Sequence, residues 1–405
     1  MKMQYVQGKP IFTSINKNIK QFKYLDKDLE TEVCVIGGGV TGAIVGYYMS
    51  KNNISSVVLD KSRFAHLSTS VTTSLLQYEL DDNLSDLTEY TTLSNGIKSY
   101  KLGLRALSEL EDFIKIHGNH CLYKKKDTLL YTAKNNEINA IKNEYDLRKE
   151  NELNVEYIDN TNSPFSFDLK AGIISKNGGA ELDPVLFTHQ LLNVAQNNGL
   201  KAFENTEVID IKYNNEYIEV ITEFGYTVKC KKVIVATGYN TLQFTKRNFA
   251  TKSTTFNIAT KPVENFDGWD RRILIRDNCD PYNYLRTTDD NRLIIGGEDI
   301  SFIPGIFDEK AANEKYDILE ARLKSMFPNI NNIEVDYKYC GTFASTSDNL
   351  GFIGPDPDHN NLWYCLGYGA NGILFAILGG MFLSDLYKNK VDKDMNLFKV
   401  NRFDK

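Results

Sequence analysis

Residues 32–60 narrow the fold more than any other stretch. Glu32-Val33-Cys34-Val35-Ile36 is an apolar run of the kind a parallel strand shows when both its faces are covered. It runs into Gly37-Gly38-Gly39-Val40-Thr41-Gly42, then into Ala43 to Ser50 with helical composition, then into a second buried strand, Ser56-Val57-Val58-Leu59-Asp60. Strand, glycine turn, helix and strand make one βαβ unit. The spacing Gly37-x-Gly39-x-x-Gly42 is weak evidence alone, but here it follows a strand and opens a helix. Asp60 lies 18 residues beyond Gly42, close to the ~20 expected of an acidic residue that accepts hydrogen bonds from a ribose. Gly37 permits the tight turn, Gly39 lets backbone approach a pyrophosphate, and Gly42 lets helix and strand pack closely. The amides and positive dipole end of the helix then favour phosphate. The unit therefore predicts a dinucleotide site, with the choice between NAD and FAD left open by the fingerprint.

The chain is long enough, at 405 residues, for two or three domain-sized units. Residues 1 to about 30 are polar without clear periodicity and read as an arm on the surface. Beyond residue 86 helical stretches such as Ser99 to His117 precede a strand-like run, Asp127 to Thr132. Asp183-Pro184 reads as N-cap and first position of a helix that Gly199 closes. Residues 206–211, 217–222 and 232–238 read as strands, the last ending in small residues. Asp289-Asp290-Asn291 is turn chemistry between two strands, Asn283 to Thr288 and Arg292 to Gly297. A glycine-rich section, 341–372, leads into a C-terminal helix.

Charge and composition exclude several classes. A net charge of −6 leaves no basic excess to neutralise phosphates, so no nucleic acid is expected as partner. Cysteines 34, 121, 230, 279, 340 and 365 are scattered singly, which argues against a disulfide framework and a zinc site. The N-terminal residues lack the apolar core of a signal peptide, and the longest apolar run, Gly372 to Leu383, is far short of the ~20 residues of a transmembrane helix. The expected compartment is the cytoplasm, with no transmembrane segment.

Two later segments bear on the cofactor. Lys232-Val233-Ile234-Val235-Ala236-Thr237-Gly238 resembles the second strand-to-turn motif of flavoproteins with two dinucleotide-binding motifs. Gly367-Tyr368-Gly369-Ala370-Asn371-Gly372-Ile373 opens a helix whose amides suit the pyrimidine edge of a flavin, where negative charge grows on reduction. With Ser68-Thr69-Ser70, Glu181-Leu182-Asp183-Pro184, Thr206-Glu207-Val208, Asp290 to Gly297 and Gly341 to Asp348 in the same order, the chain resembles the D-amino-acid oxidase and glycine oxidase family of FAD-dependent oxidoreductases, over about residues 31–390. The resemblance implies an α/β fold (α+β overall), in which a Rossmann-like FAD-binding domain carries an inserted antiparallel-sheet substrate domain. It assigns 31–85, 165–240 and 340–405 to FAD binding and 86–164 and 241–339 to the substrate or cap domain.

It also implies non-covalent FAD contacts from Gly37, Gly39, Val40, Thr41, Gly42, Asp60 and Lys61. Ser68, Thr69, Ser70, Thr73, Ser74 and Leu75 belong to the segment that passes the flavin ring, and Val208 places backbone against the adenine. Ala236, Thr237 and Gly238 fall near the pyrophosphate or ribose, with Gly341, Phe343, Gly369, Asn371, Gly372 and Ile373 at the flavin end.

The departures from the family concern the substrate. Amino-acid-oxidising relatives carry an arginine two residues after the glycine equivalent to Gly341, where this chain has Phe343, and sarcosine-oxidising relatives carry a lysine where it has Leu374. Phenylalanine cannot replace the bidentate guanidinium that clamps a carboxylate. Tyr282, Tyr284 and Arg286 lie two apart on an expected strand and so share a face, which in relatives covers the flavin. Tyr284 and Arg286 are therefore the candidates for orienting substrate, with packing tyrosines and a surface-paired arginine as the plain alternative. Cys340 falls one residue before the position at which some relatives tether flavin and reads as a buried structural thiol; His66 reads as a polar contact near the flavin-passing segment. The remaining histidines show no ligand spacing, and no metal is expected.

The implied reaction is oxidation of a C–N bond of an amine or amino-acid-like small molecule, by hydride transfer to flavin N5, with oxygen or a carrier as electron acceptor. Two alternatives stand beside it. One is a flavin dehydrogenase acting on a hydroxy acid or passing electrons to a carrier; the other is a non-catalytic flavin-binding subunit.

Overall fold

A computed structural model describes residues 5–214, 216–279 and 281–404. Its centre is a six-stranded sheet in the order Phe352–Pro355, Leu362–Leu366, Lys232–Val235, Val33–Ile36, Ser56–Leu59, Lys201–Phe203. All neighbours are parallel except the first pair. Every residue of Val33–Ile36 and Ser56–Leu59 is buried, as the continuous apolar runs require. The helix Val40–Lys51 lies against both Pro184–Asn197 and Gly372–Tyr387, so it is buried nearly all round. Gly372–Tyr387 is likewise core, and no helix of the described residues is long and apolar enough to cross a membrane.

A second, ten-stranded sheet runs Val6–Gly8, Val335–Ser345, Thr251–Thr260, Leu293–Ser301, Asn283–Thr287, Leu274–Asp277, Lys124–Thr132, Ala171–Glu181, Leu75–Gln77, with Val155–Asp159 paired beside Ala171–Glu181. It is antiparallel apart from the pair Leu274–Asp277 and Lys124–Thr132. The Asn283–Thr287 and Leu293–Ser301 hairpin forms as its turn residues demand. The helix Glu309–Met326 covers this sheet with Leu319 and Leu323 fully buried. A small sheet joins Val208–Tyr213, Ile218–Thr222, Thr227–Cys230 and Leu29–Glu30. The architecture is thus the mixed α/β one expected, a parallel nucleotide-type sheet beside an antiparallel one.

Three expectations need correction or refinement. Residues 5–30 are not a free surface arm. Residues 1–4 lie outside the described part, but Val6–Gly8 adds an edge strand to Tyr339–Gly341, Ile11 and Phe12 are buried, and Leu29–Glu30 pairs with Val228–Lys229. Backbone pairing and a few apolar anchors hold this segment without any helical or strand period. Second, residues 165–240 do not stay in one sheet, because Ala171–Glu181 pairs with Lys124–Thr132 in the large one. Val335–Ser345, at the start of the last FAD-binding stretch, crosses over in the same way. Third, the predicted helix start at Asp183 is sharper than composition alone shows. Its carboxylate accepts from Val185 N–H at 2.9 Å and Leu186 N–H at 3.0 Å, and from Asn16 Nδ2 at 2.6 Å, which ties the N-terminal segment to the helix.

Candidate cofactor and substrate site

One large cleft opens where the carboxyl ends of the parallel strands meet the large sheet, the place at which α/β sheets bind ligands. On the nucleotide side the glycine turn is fixed by backbone: Gly37 N–H donates to Leu59 O at 2.8 Å and Ala236 N–H to Ile36 O at 2.8 Å. Gly37 has φ +110°, and a Cβ there would overlap the Ala236 carbonyl. A Cβ at Gly42 would overlap the Gly37 carbonyl oxygen, so this glycine sets the approach of helix to turn. Gly39, Val40 and Thr41 line the cleft at the start of the helix, whose first-turn amides have no carbonyl one turn back; Val40 N–H is taken by Thr69 Oγ1 at 3.0 Å.

Asp60 lines the same side, and its carboxylate accepts from Gly38 N–H at 2.6 Å and from Ser62 N–H at 2.8 Å. Burial pushes this carboxyl upward, against those two amides and Lys61, which favour the charged form. Lys61, Val208, Ala236, Thr237 and Gly238 also line the cleft. Nothing lies within 4 Å of a Cβ added to Gly238, so the wall there is open backbone. Ser68, Thr69, Thr73, Ser74 and Leu75 form the middle wall, where Ser74 adopts φ +55° and its buried hydroxyl has no partner. Gly341, Phe343, Gly369, Gly372 and Ile373 close the far end. A glycine-cornered helix start, an open backbone wall and an unsatisfied hydroxyl fit an extended dinucleotide.

Four expected site residues do not line the cleft. Gly42 is packed under the turn. Ser70 is buried and donates to Leu67 O at 2.8 Å. Asn371 is 4% exposed and donates to Gln77 O at 2.9 Å, linking the C-terminal helix start to the strand Leu75–Gln77. Arg286 is the largest change from the sequence reading. Only 3% exposed, it donates from Nη1 to Thr73 O, Ser74 O and Leu182 O, each at 2.9 Å, and from Nε to Thr287 O at 3.0 Å. Glu181 lies 3.9 Å from its Nε. The face it shares with Tyr284 is right, but the segment Thr73–Ser74 lies between it and the cleft. It holds that wall and is not on it.

The substrate end is built differently. Tyr282 and Tyr284 line the cleft with rings 5.8 Å apart. The Tyr284 hydroxyl donates to Asn257 Oδ1 at 3.2 Å and lies 2.8 Å from Thr255 Oγ1. Burial pushes both phenols up, so they stay protonated donors. Arg276, which sequence reading missed, sits opposite Tyr284 in strand register and therefore on the same face. It is 7% exposed and lines the cleft. Its Nη1 donates to Leu80 O at 2.5 Å and Asp81 O at 2.9 Å, while Nε and Nη2 have no partner among the described residues. The one signal for it was an arginine closing the apolar run Ile273-Leu274-Ile275. Asp81, also missed, lines the cleft beside Ala370. Cys340 is buried, His66 lines the cleft with Nδ1 2.8 Å from Phe64 O, and the six cysteines are free. The described residues contain no group of three or more metal-ligating side chains.

Known proteins resemble this chain in sequence and fold. Glycine oxidase of Bacillus subtilis (strain 168) is 26% identical over 385 residues, 92% of this chain and 97% of that protein. The putative Rieske 2Fe-2S iron-sulfur protein YhfW of the same organism is 23% identical over 396 residues, 95% of this chain and 74% of that protein. The crystal structure of glycine oxidase from Geobacillus kaustophilus superposes with a TM-score of 0.77 at 20% identity, covering 92% of this chain and 99% of that one, which is a likeness of fold. Residues 32–386 match the family model described as DAO, FAD dependent oxidoreductase, so a chain whose glycine turn, open backbone wall and facing sheet suit that dinucleotide belongs to this family of FAD-dependent oxidoreductases.

Proposed function

We propose that this oxidoreductase oxidises the C–N bond of a small amine that carries a carboxylate. The observation that carries the reading is Arg276. Phe343 offers no cation at the family's usual place, yet a buried guanidinium whose Nε and Nη2 have no partner among the described residues enters the same cleft from the strand Leu274–Asp277. Two adjacent N–H groups of one planar guanidinium match a carboxylate bidentately. Tyr284, held by Asn257 and Thr255, orients the substrate from the neighbouring strand. The rings of Tyr282, Tyr284 and Phe343 keep water from the reacting carbon. Bound FAD would supply the hydride acceptor. Gly37, Gly39, Thr41, Asp60 and Gly238 would hold its adenosine and pyrophosphate, and Thr73, Ser74, Gly341 and Gly372 its flavin end.

The names of two relatives, glycine oxidase and gamma-glutamylputrescine oxidoreductase, support a C–N bond over the C–O bond of a hydroxy acid. The test is anaerobic: oxidised holoprotein is mixed with matched pairs of an amino acid and the amine left on removing its carboxylate. Bleaching of the flavin band by the amino acid alone supports the reading. Bleaching by both members equally, or by a hydroxy acid alone, overturns it. Admitting air afterwards separates oxygen from a carrier as acceptor, and a relative named as a Rieske iron–sulfur protein gives the carrier its support.

A further inference from the structure

The cleft places a carboxylate next to Arg276, and hydride transfer from the substrate carbon leaves that carboxylate without a role. Asp81 follows the strand Leu75–Gln77 and lines the cleft at its substrate end. Its main-chain oxygen is held by Arg276 Nη1 at 2.9 Å, so the two charged side chains are neighbours. Its Oδ2 accepts from Ala370 N–H at 3.2 Å, in the turn before the helix Gly372–Tyr387. Its Oδ1 has no hydrogen-bond partner among the described residues and keeps some exposure, on a residue that lines the cleft.

We infer that Asp81 recognises the substrate's amino group and takes its proton, opposite Arg276, which holds the carboxylate. This rests on the reading under Proposed function and deepens it: the substrate is a free amino acid whose charged ends are one tetrahedral carbon apart, matching a carboxylate and the guanidinium that bonds to the same residue's main-chain oxygen. The physical need is plain. A carbon bearing an ammonium group does not release hydride, because no lone pair is available to form the imine. In the step assigned to Asp81 an N–H bond breaks, an O–H bond forms at Oδ1, and the electron pair stays on nitrogen. No oxidant or other reactant enters.

The charged groups facing Asp81 bear on when it is ionised. Arg276 and the Ala370 amide favour the carboxylate, and Asp82 and Asp299 disfavour it. Tyr282 and Tyr284 feel its charge but remain protonated phenols. Burial is the largest influence and pushes the Asp81 carboxyl up, which makes it a better proton acceptor than a solvent-exposed aspartate.

The experiment uses holoprotein and two ligands that the reaction cannot oxidise: 2-aminoisobutyrate, which has the amine but no α-hydrogen, and isobutyrate, which has no amine. Binding is read from perturbation of the flavin absorbance and checked by calorimetry. Asp81→Asn keeps an acceptor for Ala370 N–H, and retained flavin confirms its fold. It is expected to weaken 2-aminoisobutyrate roughly tenfold or more and to leave isobutyrate unchanged or tighter, as removal of a charge-assisted bond to the amine alone requires. Arg276→Gln is expected to weaken both. In wild type the affinity for 2-aminoisobutyrate rises with pH through the ionisation of Asp81, and this rise is absent in Asp81→Asn. Equal binding of 2-aminoisobutyrate by wild type and Asp81→Asn overturns the inference alone. A wild-type protein that binds neither ligand, or an Arg276→Gln variant that binds both unchanged, overturns the carboxylate reading beneath it.

Discussion

Replacing Arg286 by methionine separates a residue that holds the wall of the cofactor cleft from one that touches substrate. Methionine keeps most of the length and removes every donor. Three carbonyls on two segments, Thr73, Ser74 and Leu182, lose the guanidinium that bridges them, and Glu181 keeps Lys126, 3.4 Å away, and the more distant Arg272 as counter-charges. Hydrogen bonds from a charged donor contribute about 1.5–3 kcal/mol each, and breaking a buried ion pair costs about 3–5 kcal/mol. These contributions share one side chain and are not additive, so about 4 kcal/mol is the working figure. An unfolding entropy of about 2.1 cal/mol/K per residue over 405 residues gives about 0.85 kcal/mol/K, and hence a Tm lower by about 5 °C. Ser74 sits at φ +55°, so freeing its carbonyl loosens the flavin-passing wall, and FAD affinity falls about tenfold. Thermal unfolding followed by circular dichroism gives the first quantity, and fluorescence titration of apoprotein with FAD the second. Binding of isobutyrate by FAD-saturated variant stays within a factor of two of wild type. A variant with unchanged Tm and FAD affinity but lost carboxylate binding refutes the placement of Arg286 and returns it to the substrate wall.

Two further outcomes follow from the packing and the charges. Gly42→Ala drives a Cβ into the Gly37 carbonyl oxygen, and the turn must shift to relieve it; FAD titration is expected to show affinity lower by tenfold or more, and an unchanged affinity refutes the close contact. His189 is 6% exposed with neither ring nitrogen hydrogen-bonded, and burial followed by the nearby His66, Arg63 and Lys20 brings it down to about 4. The unfolded chain then binds the extra proton below its ordinary value near 6.5, so stability from the neutral ring is present above that pH and is lost on going down towards 4. The loss is about 2 kcal/mol by pH 5, and His189→Leu is expected to flatten denaturant stability between pH 7 and 5; a slope equal to wild type contradicts this assignment.

What the sequence made legible, and what it hid, divides along the range of the interactions. The strand Val33–Ile36, the glycine turn and the strand Ser56–Leu59 were readable because each is dictated within a few residues: apolar runs bury on both faces, and only glycine fits against the neighbouring carbonyls. The cap at Asp183 and the hairpin at Asp289–Asn291 were readable for the same reason. Arg286 was misplaced because period two gives a face but not what covers it; the covering segment, Thr73–Ser74, lies more than 200 residues earlier. Arg276 was missed because its position depends on pairing with Tyr284, and Val6–Gly8 because its partner strand is over 300 residues away. This division has a consequence for function. The nucleotide half of the cleft is read mainly by backbone, so its fingerprint survives changes in the facing sheet. The facing half is a set of side chains on strands brought together over long range, where Phe343 and Arg276 stand on different strands and neither touches a glycine of the turn. Substrate choice can therefore change one strand at a time while the cofactor stays in place.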